Sequence, residues 1–92
     1  MKIEILGHTM EVIKFEPPRY LRGVEVDGEV NVMKRKIFIN DSLSAAQQKQ
    51  TLYHEILHAI DWILNNECYT VDEEIINKLA TGLATCKLVK DD

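Results

Sequence analysis

No apolar run in these 92 residues is long enough to cross a bilayer, so a membrane-spanning helix is excluded. Excess positive charge is missing too. Eleven Lys and Arg stand against fifteen Asp and Glu, and a formal net charge of −4 offers no basic stripe for phosphates, so no nucleic-acid partner is expected. Cysteine is scarce: Cys68 and Cys86 are too few for a disulfide framework, and their separation matches no paired-thiolate zinc site. Only two prolines and four glycines occur, and no repeat, low-complexity tract or linker divides the chain. The length therefore suits a single domain over 1–92. The opening MKIEILGHTMEV alternates and is too short and charged for a secretory leader, so a cytoplasmic protein is expected by default.

What is present falls into two halves. Residues 2–6 and 10–15 alternate apolar and polar around Gly7-His8-Thr9, as in a hairpin, and Pro17-Pro18 then stops any regular element. The stretch VEVDGEVNV carries Asp27-Gly28, a two-residue turn signal. A competing register pairs 29–33 with 36–40 across Lys34-Arg35. Strands are expected at 30–33 and 37–39 in either case. From Ser44 the period becomes helical. Ser44 with Gln47 reads as a capping box opening a helix over 45–64, which Asn65-Asn66 ends. Thr70 with Glu73 signals a second helix, near 71–89 and reaching roughly Lys90. Strands first and helices after predict an α+β domain, a small antiparallel sheet followed by two helices.

The first helix contains His54-Glu55-Ile56-Leu57-His58, an H-E-x-x-H motif. Residues four apart lie about 40° apart and one turn along a helix, so both imidazoles can reach one tetrahedral zinc ion. Glu55 lies beside them, placed to take a proton from a zinc-bound water as general base. Three polar residues on a solvated face are the plain alternative. A chance match is expected in roughly one of several hundred chains of this size. The helix is also apolar over most of its circumference, with Thr51, His54, His58, Asp61 and Trp62 in the remaining sector.

A zinc site needs a third protein ligand, and Cys68, Asp72, Glu73 and Glu74 follow the motif, with His8 a distant outsider. Glu74 pairs naturally with Lys78 one turn on. Glu73 lies at the edge of the apolar stripe of Ile75, Ile76, Leu79, Ala80 and Leu83 and leads on spacing, though Thr70 competes for it as a capping partner. Asp61, one turn after His58, is a candidate to orient either histidine. Tyr20, Tyr53, Tyr69 and His8 are available to stabilise an oxyanion, with Tyr69 preferred for its place between the helices.

TLYHEILHAID followed by EEIINKLATGL resembles the small metallopeptidase-like proteins of phages and prophages, distant relatives of the ImmA/IrrE group of gluzincin kind. The second helix there reads approximately E-x-x-A-N-x-F-A. Residues 73–80 match it at Glu73, Asn77 and Ala80, with apolar residues at the other two places. The resemblance implies Glu73, rather than Glu74, as third ligand of one zinc ion per chain, within a minimal zincin-like fold. Only fourteen residues separate His58 from Glu73, so the connection must be tight. The expected function is zinc-dependent hydrolysis of peptide bonds in a peptide or protein substrate. A peptide could add to the sheet along 30–33 or 37–40. The rival expectation is a non-catalytic regulatory module of phage type, in which zinc ties the helices together.

Overall fold

The computed structural model describes residues 1–89. Strands β1 (Lys2–Ile5) and β2 (His8–Phe15) form the first hairpin, closed by Leu6 and Gly7, both at positive φ. Ile3 faces Met10 and Ile5 faces His8 across it. The loop has two residues instead of the three that the alternation indicates and is shifted toward β1, because two consecutive left-handed residues suffice to reverse a twisted ribbon.

The central region settles on the second of the two registers. Strand β5 (Gly28–Asn31) pairs antiparallel with β6 (Lys36–Asn40), and Arg35 takes the positive φ of the turn. Asp27-Gly28 is therefore no turn; Gly28 opens β5. A short hairpin that the pattern did not announce precedes it, β3 (Tyr20–Leu21) with β4 (Val24–Glu25), around Arg22 and Gly23. Its two-residue strands are too short to show periodicity.

The main sheet runs β1-β2-β6-β5. Its two hairpin pairings are antiparallel as expected, whereas β6 lies parallel to β2, with Val12 beside Ile37 and Lys14 beside Ile39. That insertion places β6 inside the sheet and leaves β1 and β5 at its edges. One face carries the core, built on Ile5, Met10, Val12, Ile37 and Ile39, against which Leu52, Ile56, Ile60 and Ile63 of the first helix pack. The other face holds a small cluster in which the Arg19 guanidinium lies 3.8 Å from the Phe38 ring centroid and bonds Glu29 at 3.0 Å.

Helix α1 (Ala45–Leu64) has the expected bounds, and its Ser44–Gln47 capping box is reciprocal. Helix α2 (Glu73–Thr85) is shorter than expected. Its cap is Asp72, which accepts from the Glu74 amide at 2.7 Å, and it ends where Cys86 turns extended. Residues 86–89 are not helical, and Leu88 and Val89 are exposed, with nothing to pack on among the described residues. Lys90 lies outside the described residues. Ile76 and Ala80 bury the inner stripe of α2. No described helix is long and apolar enough to cross a membrane.

Candidate metal centre

The two histidines project from the middle of α1 into a cleft walled by β5 on one side and by the start of α2 on the other. Their Nε2 atoms stand 3.2 Å apart. Glu73, the first residue of α2, closes the group: its Oε1 lies 2.6 Å from His58 Nε2 and its Oε2 lies 3.1 Å from His54 Nε2. The three donor atoms fall within 4.8 Å of one another, a set that could hold a metal ion. Two imidazole nitrogens and a carboxylate oxygen are the donor types that suit zinc.

Burial holds the His54 imidazole below its ordinary pKa, against the opposing pull of the Glu73 carboxylate. A neutral ring keeps a lone pair free for a cation. Asn77, one turn beyond Glu73 on the same face of α2, also lines the cleft and, like Glu73, pulls the His54 pKa upward. Its spacing from Glu73 was legible, but its place in the cleft was not, because that depends on how α2 docks. His58 is positioned by packing. The Tyr69 ring meets it edge to face at a centroid distance of 5.5 Å, and its buried Nδ1 has no hydrogen-bond partner among the described residues.

Glu55 is only 6 % exposed although it lies within a charged motif. Its carboxylate points under β5, where a Cβ on Gly28 would stand 3.2 Å from its Oε2. Burial, then the charges of Glu73 and Glu29, push its pKa up to about 8. A carboxyl poised near neutrality is suited to exchange protons with a water in the cleft.

The other expected ligands are placed elsewhere. Asp72 caps α2, Glu74 pairs with Lys78 at 3.2 Å, and Cys68 is exposed in the connection between the helices. His8 belongs to the first hairpin and lies in a separate hollow beside Trp62. The capping role that competed for Glu73 is absent, since Thr70 turns to Asp61 instead. Asp61 in turn orients neither histidine. It is 5 % exposed, and its pKa is held down to about 2, chiefly by the Thr70 hydroxyl and then by backbone amides of Val71 and Thr70 and the side chain of Asn65. A periodicity that put Asp61 opposite the core could not reveal that the following loop folds back over it.

Tyr69 lines the cleft, packed between His58 and Trp62, and burial raises its phenol pKa so that it keeps its proton. Tyr20 is exposed on the short hairpin. The outer edge of β5 also faces the cleft. Asp27 accepts from the Asn40 amide, so Gly28 and Val30 turn their own N–H and C=O groups away from β6. The segment 37–40 has no such free edge, because β6 is paired on both sides.

A family model described as Peptidase M78, IrrE N-terminal-like domain, matches residues 6–92. No curated protein and no solved structure gives a match.

Proposed function

The chain belongs to the Peptidase M78 family of IrrE N-terminal-like domains, and from that premise we propose that it is a zinc-dependent peptidase. The convergence of His54, His58 and Glu73 on one point of the cleft is the observation that carries this reading. Those three residues would hold one zinc ion per chain. Zinc, when bound, would supply a Lewis acid that polarises a carbonyl and acidifies a water.

The protein's own groups then divide the remaining work. Glu55 accepts a proton from the attacking water and returns it to the leaving amine. Tyr69 keeps its phenolic proton and donates a hydrogen bond to the developing oxyanion. An extended peptide adds to the free edge of β5, where the outward N–H and C=O groups of Gly28 and Val30 fix its backbone. A second reading, favoured by Glu73 joining α2 to α1 at the donor cluster, is a regulatory module that zinc merely staples.

One set of proteins purified without chelator decides between them. Wild type carries one zinc per chain and cleaves an unstructured peptide; His54→Ala and His58→Ala lose the metal. Glu55→Gln keeps zinc and loses hydrolysis by about 10²–10⁴-fold. Tyr69→Phe keeps zinc and lowers kcat more than it changes KM. Wild type devoid of zinc would sink the reading, and hydrolysis undiminished in Glu55→Gln would remove the assigned base.

A further inference from the structure

Four hydrogen bonds converge on the buried carboxylate of Asp61, and all come from the connection between the helices. Thr70 Oγ1 donates to Oδ1 at 2.6 Å and Asn65 Nδ2 donates to the same oxygen at 2.7 Å. The amides of Thr70 and Val71 donate to Oδ2 at 2.7 and 2.9 Å. Both oxygens are thus occupied by one short stretch of chain. A buried carboxylate with this many donors forms a stiff junction, because the Asp61 charge would be left unpaired away from water if they let go.

The stretch so held runs straight into the metal centre. Val71 is followed by the cap Asp72 and then by Glu73, so the amide bound to Asp61 is only two residues from the third donor. Glu73 is 68 % exposed along its side chain, and no hydrogen bond or ion pair is seen for its carboxylate among the described residues other than those to the two histidines. A glutamate side chain otherwise gives up much of its rotamer freedom on being fixed. Its arrival at the histidines therefore depends on where its backbone is placed.

We propose that Asp61 is a positioning residue for the metal centre, acting through segment 70–72 to deliver Glu73 to His54 and His58. The inference rests on the zinc reading above. It gives Asp61 a place in the site without contact to metal or substrate, and it explains why a charged residue is buried one turn after the motif.

The test is a double-mutant cycle on zinc affinity, measured by competition with a chromophoric chelator and read in parallel from the visible spectrum of the cobalt-substituted protein. Asp61→Asn keeps the shape but sets an amide donor against the loop N–H groups. Zinc affinity should fall about 10–100-fold, with a cobalt spectrum shifted toward that of Glu73→Gln. In a Glu73→Gln background the same change should cost less than about twofold, since its route to the metal is already cut. Thr70→Val, which removes one of the four bonds, carries the same cycle with a smaller effect should Asp61→Asn fail to fold. Affinity unchanged in Asp61→Asn, or losses that simply add to those of Glu73→Gln, would overturn the proposal and assign Asp61 to loop stability alone. Wild type that binds no zinc would instead overturn the reading beneath it.

Discussion

Glu55 shows how far one side chain can be read from local pattern. Its place between two histidines was legible because helix geometry is local: four residues bring the rings to one side in any folded context. Its burial was not legible, since that requires β5 to pass over the helix. The consequence is a pH dependence. The carboxyl is raised from 4.5 to about 8 in the folded chain, so between those values the unfolded chain releases a proton that the folded chain retains. Stability then falls as pH rises through this window and levels off above it. In protein stripped with a chelator, Glu55→Gln should match wild type near pH 5 and exceed it by about 1–3 kcal/mol at pH 8.5, measured by urea unfolding. Parallel pH slopes for the two proteins would contradict this. Asp61 and Glu73 mark the opposite limit at this scale. Spacing narrowed the third donor to four neighbours and the resemblance to one, but only the docked loop shows what each carboxylate touches.

At the scale of elements, the helices were more legible than the sheet. The Ser44–Gln47 box and the Asn65 terminus are contacts within a few residues, and α1 has the bounds they indicate. Register and strand order are long-range choices. The parallel placement of β6 beside β2 has no local signature, and Asp27-Gly28 imitated a turn while serving another purpose. That purpose is close approach. A Cβ at Gly28 would stand 2.6 Å from Thr51 Cγ2 and 3.2 Å from the Phe38 carbonyl oxygen, so α1 crosses β5 where only hydrogen fits. Gly28→Ala should destabilise the chain by about 1–3 kcal/mol as helix and strand are forced apart. Removing the opposing methyl with Thr51→Ser should recover most of the loss in the double variant. Equal urea midpoints for Gly28→Ala and wild type would show that the helix gives way without cost.

At the scale of the whole molecule, the α+β architecture and the order of its halves followed from the change of period at Ser44. A chain this size buries only about 60–70% of the surface it exposes when unfolded, so ligands weigh heavily in its stability. An ion held by both helices would bind the folded state alone. Free zinc at a hundred times its dissociation constant would add about 2.7 kcal/mol, or roughly 10–20 °C in Tm. Thermal unfolding of wild type and His58→Ala across a zinc titration checks this, with a rise expected only in wild type; superimposable curves would deny the linkage.

The donors are divided along the chain, two on α1 and the third at the first residue of α2. During synthesis, α1 and the whole sheet emerge before the residue that completes the cluster. A nascent chain can therefore display the full motif while still lacking one of the three donors. The assembled cluster reports that α2 has docked, which gives the molecule an inherent order of events: the helices pack first, and any ion the donors take would bind afterwards.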